Sequence, residues 1–157
     1  ASPCASASSA TRSLVTDAPP PLHVVLVHPE IPPNTGSIAR LCAATRLRLH
    51  LVRPLGFSLD DRYLKRAGLD YWPHVDLQVH DDWPSYRAAY ASARRFLFSA
   101  RAHAPYVAAR FAAGDHLVFG CETKGLPAEI LAEPHADTLL IPIFTPHVRS
   151  LNLSNAV

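Results

Sequence analysis

Leu22-His23-Val24-Val25-Leu26-Val27, running directly into His28-Pro29-Glu30-Ile31-Pro32-Pro33-Asn34-Thr35-Gly36-Ser37-Ile38-Ala39-Arg40, decides the architecture. The first run is apolar, rich in β-branched side chains and strand-sized. The second carries Ile38, Leu41 and Cys42 at helical spacing, which predicts a helix over Asn34 to Ala44. Three prolines stiffen the connection, and Asn34 or Thr35 is available as an N-cap. Gly36 allows another segment to approach the first turn closely. Arg40 lies off the Ile38, Leu41, Cys42 stripe and is expected to point away from the helix's own core contact.

The same alternation continues along the chain. Leu22 to Val27, Arg48 to Val52, Val75 to Val79, Phe96 to Ser99, Leu117 to Phe119 and Thr138 to Ile143 read as strands. Further helices are expected from Asp60 through Ala67 and from Ser85 through Ala93. Strand and helix in alternation specify an α/β domain, a largely parallel sheet flanked by helices, over residues 22–157. Residues 1–21 are mostly Ala, Ser, Thr and Pro without hydrophobic periodicity, and are expected to be a disordered leader. Their acid-poor, hydroxyl-rich composition fits part of an organellar transit peptide; without that role the expected location is cytoplasmic.

A chain of 157 residues with 48% apolar content suits one domain with a sizeable core. No run approaches the roughly 20 apolar residues that span a bilayer, so no membrane role is expected. Cys4, Cys42 and Cys121 are odd in number and scattered, which argues for ordinary thiols over a disulfide framework. The nine histidines show no tight ligand spacing and no HExxH, so no metal site is expected. The net charge is only +2, but between Arg40 and Arg66 seven basic residues stand against Asp60 and Asp61. That stretch is able to face phosphates, although scattered arginines are more often solvated surface charges.

In parallel sheets ligands bind beyond the carboxyl ends of the strands, and three such segments are unusual. The first is the proline-rich passage already quoted. The second is Phe119-Gly120-Cys121-Glu122-Thr123-Lys124-Gly125-Leu126-Pro127. Leu126-Pro127 stands where a Walker loop needs Lys then Ser or Thr, which excludes a nucleotide triphosphatase, and no GxGxxG occurs. What remains is a strand-to-helix turn whose glycines expose backbone groups to a flat ligand, with Glu122 able to brace the loop. The third runs from Ile141-Pro142-Ile143 to Arg149-Ser150-Leu151-Asn152-Leu153-Ser154-Asn155-Ala156-Val157. Its hydroxyls and amides open an apparent helix and suit capping together with ligand hydrogen bonds.

Taken together, these segments resemble the SPOUT class of RNA methyltransferases, and more narrowly the small tRNA wobble-position cytidine/uridine 2′-O-methyltransferases. The residues carrying the likeness are Pro29 to Gly36 with Arg40-Leu41-Cys42, Arg66 to Tyr71, Phe119-Gly120 with Glu122-Thr123 and Gly125-Leu126-Pro127, and Arg149 to Val157. The resemblance implies a parallel sheet with a C-terminal trefoil knot that holds bent S-adenosyl-L-methionine. It implies cofactor contacts from Ser99, Gly120, Glu122, Gly125, Ile141, Ile143, Ser150 and Leu151. It further implies a homodimer in which Arg40 reaches the partner's cofactor, with Asn152 and Ser154 positioning the reacting groups and the tRNA anticodon region as substrate. No metal is required, because the leaving group departs as a neutral thioether.

Arg46 follows Thr45 where the family commonly has glycine, so the first helix is expected to avoid a left-handed end. Lys124 stands where relatives often have arginine, and the Pro142 to Arg149 loop is one residue longer than usual. The family's closing helix continues beyond the Arg149 to Val157 motif, so the domain is expected to be C-terminally incomplete, with weak cofactor binding and dimerisation. Two other readings compete: a catalytically silent RNA-binding module of the same fold, and a 2′-O-methyltransferase acting on rRNA.

Overall fold

Val24 to Val27 are each no more than 1% exposed, because the strand they form is covered on both faces. The computed structural model describes residues 20–59 and 71–157. The leader up to residue 19, the helix expected over Asp60 to Ala67, and the motif residues Arg66 to Asp70 lie outside the described residues.

Among the described residues seven strands form one sheet: β1 (Leu22–Val27), β2 (Arg48–Val52), β3 (Leu77–His80), β4 (Arg95–Phe98), β5 (Ala104–Pro105), β6 (Asp115–Phe119) and β7 (Asp137–Leu140). Their order is β3-β2-β1-β6-β4-β7-β5, and every neighbouring pair is parallel. The sequence predicts six strands; the seventh, β5, spans two residues and leaves no pattern to read. The last strand stops at Leu140 rather than Ile143, which fits Pro142, a residue with no N–H for a ladder.

Helix α1 (Pro32–Thr45) starts two residues earlier than Asn34. Ile31 is its N-cap and offers no side-chain acceptor, so neither Asn34 nor Thr35 caps it as the sequence suggested. Pro32 fits the first turn because its missing N–H would have been unpaired there. At the other end Arg46 adopts φ 60°, ψ 30°, the left-handed conformation expected to be avoided. A non-glycine residue there costs about 1 kcal/mol, and two backbone bonds to the Cys42 carbonyl, from Arg46 and from Leu47 at 2.9 Å, offset it. Helix α2 (Trp83–Ala89) begins before the expected Ser85, because Asp82 accepts the Ser85 N–H at 2.7 Å. Two short helices follow, α3 (Ala128–Leu131) and α4 (Leu153–Ala156). None of the helices among the described residues is long and apolar enough to cross a membrane.

Side chains alternate across the sheet with period two. Val24, Leu26, Leu49, Leu51 and Phe119 pack against Ile38, Ala39 and Cys42 of α1 and Leu153 of α4. Val25, Val27, Val52, Leu97 and Val118 pack on the opposite face with Tyr86 of α2, Leu126, and Ile130 of α3. Leu41, expected in the α1 stripe, is instead 39% exposed, beside the exposed Arg40.

Four histidines lie along the α2 face of the sheet. The rings of His116 and His23 stack with centroids 4.1 Å apart and planes 10° from parallel, His23 and His50 lie 5.1 Å apart, and His50 and His80 lie 5.3 Å apart. His23 Nδ1 meets His50 Nε2 at 2.8 Å, His50 Nδ1 meets His80 Nε2 at 3.1 Å, and His116 Nδ1 meets the Tyr86 hydroxyl at 2.7 Å. A neutral imidazole has one donor and one acceptor nitrogen, so such a chain is satisfied only while the rings stay uncharged. Burial, with neighbouring imidazoles and Arg48 adding to it, pushes His50 down to about 2; burial, His23 and Arg95 push His116 down to about 3. Burial also lowers His23 and His80.

Candidate functional site

Strand order reverses between β1 and β6: β2 and β3 follow β1 on one side, while β4, β7 and β5 lie beyond β6. The loops leaving the carboxyl ends of β1 and β6 therefore part at this point and open a crevice, the usual ligand position in such sheets.

The β6 loop is a tight turn. Cys121 and Gly125 form an antiparallel bridge, and Gly125 has φ +70°. A Cβ on Gly120 would lie 2.0 Å from the Gly125 carbonyl carbon and 2.1 Å from the Leu126 nitrogen, so only glycine fits. From this turn Glu122 reaches the β1 loop. It accepts the Glu30 N–H at 2.8 Å, the Ile31 N–H at 3.2 Å and the Asn34 side-chain amide at 3.0 Å. This carboxylate holds the two residues that lead into α1 and one side chain of its first turn, with the helix dipole adding to the attraction. Glu30 reciprocates by accepting the Thr123 N–H at 3.2 Å and hydroxyl at 2.9 Å.

Asn34 then links onward. Its Oδ1 accepts from Asn152 Nδ2 at 3.0 Å, and Asn152 Oδ1 accepts the Ser154 N–H at 2.8 Å and hydroxyl at 2.6 Å. One hydrogen-bonded line thus joins the β6 loop, the start of α1 and the start of α4. Asn152 is the N-cap of α4, so of the polar residues expected to open this helix it is the one that caps it.

These loops enclose a cavity of about 660 Å³, well within the range of small-molecule sites. Ser99, Gly120, Glu122, Gly125, Ile141, Ile143, Ser150 and Leu151, the eight residues expected to hold a cofactor, all line it, as does Asn152. Ser154 and Arg40 do not. Ser154 is tied to Asn152, one residue behind the wall. Arg40 stands exposed on α1, its guanidinium 5.8 Å from the centroid of the Tyr71 ring, while the Tyr71 hydroxyl donates to the Gly36 carbonyl at 2.9 Å. Tyr71 thereby holds both the helix and its arginine. The bracing roles of Asn34 and Glu30 were not visible in the sequence, because each depends on a partner from a distant loop.

The profile of the SpoU rRNA Methylase family matches residues 21–157. The chain belongs to the SpoU methylase family. Among relatives, it is 50% identical over 138 residues to the tRNA (cytidine(34)-2'-O)-methyltransferase of Burkholderia ambifaria, covering 86% of this chain and 88% of that protein. It is also 50% identical over 133 residues to the enzyme of the same name from Methylovorus glucosotrophus, covering 85% of this chain and 86% of that one. A solved structure described as "Structural insights into the 2-OH methylation of C/U34 on tRNA" superposes with a TM-score of 0.83 at 54% identity, covering 88% of this chain and 90% of that chain.

In this SpoU methylase the buried histidines form a second polar centre, away from the cavity. Ring nitrogens of His23, His50 and His116 lie within 4.8 Å of one another, the one candidate set of metal ligands among the described residues. His50 already uses both ring nitrogens, Nε2 towards His23 Nδ1 and Nδ1 towards His80 Nε2, and His116 Nδ1 faces the Tyr86 hydroxyl, so these nitrogens are occupied by hydrogen bonds. Arg48 and Arg95 add positive potential, and the geometry suits an uncharged, hydrogen-bonded stack better than a cation.

The clasp between the two loops gives a direct expectation. Glu122→Ala leaves two backbone N–H groups and the Asn34 amide without their acceptor, and should lower stability by about 3 kcal/mol, at about 1 kcal/mol for each bond. Urea unfolding checks this; a loss under about 1 kcal/mol would mean that water replaces the carboxylate freely.

Proposed function

We propose that this SpoU methylase transfers a methyl group from S-adenosyl-L-methionine to the ribose 2′-hydroxyl of the wobble nucleotide, cytidine or uridine, in the anticodon region of tRNA. The observation that carries this reading is the likeness to cytidine-34 enzymes over 86% of this chain and 88% of the relative. The site agrees with it. Backbone groups of the Gly120 turn and side chains of Ile141, Ile143 and Leu151 offer a flat, largely apolar slot, with Ser99 and Ser150 able to hydrogen-bond at its edge. When bound, the cofactor supplies an electrophilic methyl on a sulfonium and needs no metal to depart.

The chain's own residues supply alignment and charge. A guanidinium is a permanent cation, so the role of Arg40 is to orient the ribose hydroxyl and stabilise the alkoxide charge that develops on the oxygen, rather than to act as a general base. About 9 Å of helix separates it from Asn34 at the cavity wall, and it projects outward. Both features fit a homodimer in which Arg40 of one protomer serves the cavity of its partner. The exposed Ile31 and Leu41 of the α1 segment, with Leu151 at the cavity, supply apolar surface for that contact. Asn152 holds Ser154 and the α4 start in register with the pocket.

The test is transfer of labelled methyl from S-adenosylmethionine to unmodified tRNA, with the label mapped by nuclease digestion. Label at nucleotide 34 is expected. Arg40→Ala should reduce the rate about 100-fold, about 2.7 kcal/mol, with cofactor affinity unchanged. Binding of RNA without transfer to any tRNA would favour a silent RNA-binding module, and label in rRNA instead would move the substrate. A full rate in Arg40→Ala would remove the role given to that side chain.

A further inference from the structure

Three cations stand at the cavity mouth with no assigned role. Arg101 follows β4, Lys124 follows β6 and Arg149 precedes α4, yet all three line the same cavity. Each is exposed. Among the described residues none of the three side chains has an ion pair or a hydrogen bond, whereas Arg48, Arg87 and Arg94 are each matched by an acid. Among the described residues the only carboxylate in the cavity wall is Glu122, and it is occupied by the start of α1. The mouth therefore carries three positive charges with nothing among the described residues to neutralise them.

Local sequence sharpens the point. Trp83 to Gly114 contains five arginines and no aspartate or glutamate. Arg87 and Arg94 are paired and Arg95 is buried, which leaves Arg101 at the cavity and Arg110 away from it. Exposed arginines are ordinarily solvated surface charges, and Arg110 is read that way. Arg101 differs because two further unpaired cations reach the same opening from separate loops, where like charges repel until an anion joins them.

We propose that Arg101, Lys124 and Arg149 form a phosphate cradle that grips the RNA backbone on either side of the ribose being methylated. A single carboxylate, such as the one on the cofactor's methionine end, is satisfied by one forked guanidinium. Three cations on three loops suit a chain of phosphates. The inference rests on the methyl-transfer reading for which ribose is gripped, but the cradle itself is a binding claim and is measured without turnover.

The experiment follows anisotropy of a labelled, unmodified anticodon stem-loop RNA titrated with the whole chain between about 50 and 300 mM KCl, with S-adenosylhomocysteine binding measured beside it. Each of Arg101→Gln, Lys124→Gln and Arg149→Gln should flatten the slope of log Kd against log salt by about 0.7, the value for one lost single-strand phosphate contact. RNA should bind about 3- to 10-fold more weakly, while S-adenosylhomocysteine affinity stays within about twofold. Lys124→Arg should keep the slope, and Arg110→Gln should leave it unchanged. Unaltered slopes in all three variants overturn the cradle. So does a loss of S-adenosylhomocysteine affinity with RNA slopes intact, because the cations would then serve the cofactor. Flattened slopes in a protein that transfers no methyl group would sustain the cradle while removing the methyl-transfer reading, so the two claims fail separately.

Discussion

Lowering the pH from 7 to about 4.5 is expected to remove about 5 kcal/mol of folding stability, through His50 and His116 alone. In the unfolded chain these imidazoles take up a proton near pH 6.5, whereas in the fold they resist it down to about 2 and about 3. Below pH 6.5 the unfolded state therefore binds more protons than the native state, and stability falls as the pH falls. Two pH units below the ordinary value correspond to about 2.7 kcal/mol for each ring. His23 and His80 shift in the same direction and add to the loss. The charged groups facing the stack are Arg48 and Arg95, which reinforce the effect, and Asp76, Asp81 and Asp115, which partly oppose it.

The carboxylates with depressed values, Asp82 and Asp115, lose their contribution only on protonation below their ordinary value of 3.8. Urea unfolding at a series of pH values from about 7.5 to about 4.5 isolates the histidine window. His50→Gln keeps a hydrogen-bonding side chain but cannot charge, and should make the pH dependence shallower by one proton's share, about 1.4 kcal/mol per pH unit. A stability that stays flat across that window would mean that the stack admits protons in the native state.

The second large effect is expected at Gly120. A Gly120→Ala substitution would drive the new methyl into the backbone of Gly125 and Leu126, with the Gly125 carbonyl oxygen only 2.3 Å away. Rotamer change cannot relieve a clash with main chain, so the turn must open, and the Cys121–Gly125 bridge and the Glu122 clasp open with it. Cofactor affinity should fall at least about a thousandfold, about 4 kcal/mol, with a further overpacking penalty of about 1–3 kcal/mol in thermal unfolding. Calorimetric titration with S-adenosylhomocysteine reads the first effect. Near-normal affinity in Gly120→Ala would mean that the turn is not part of the binding wall.

Local patterns in the sequence reveal the sheet but not the contacts that complete the site. Leu22–Val27 and Arg48–Val52 have the bounds expected from their apolar runs, since burial on both faces imposes a strong signal. The eight residues expected around a cofactor converge on one cavity, because their motifs each follow a strand and a parallel sheet puts those ends side by side. What depends on a distant partner was not readable. The residues leading into α1 are held by Glu122, 91 to 92 residues from the N–H groups it receives, and no local pattern shows that brace. The histidine stack joins rings from four strands, none with a telling spacing. Arg46 looked excluded from a left-handed turn because sequence shows the steric penalty and not the two hydrogen bonds that outweigh it.

The reciprocal Glu30–Thr123 and Glu122–Glu30 links also set a timetable. They tie together segments some 92 to 93 residues apart, so none of the pocket's geometry exists while β6 is still emerging from the ribosome. Closing so long a loop is entropically unfavourable until β6 docks between β1 and β4. Competence to hold a ligand should therefore arrive late and all at once during synthesis, with no partial pocket for a half-made chain to offer.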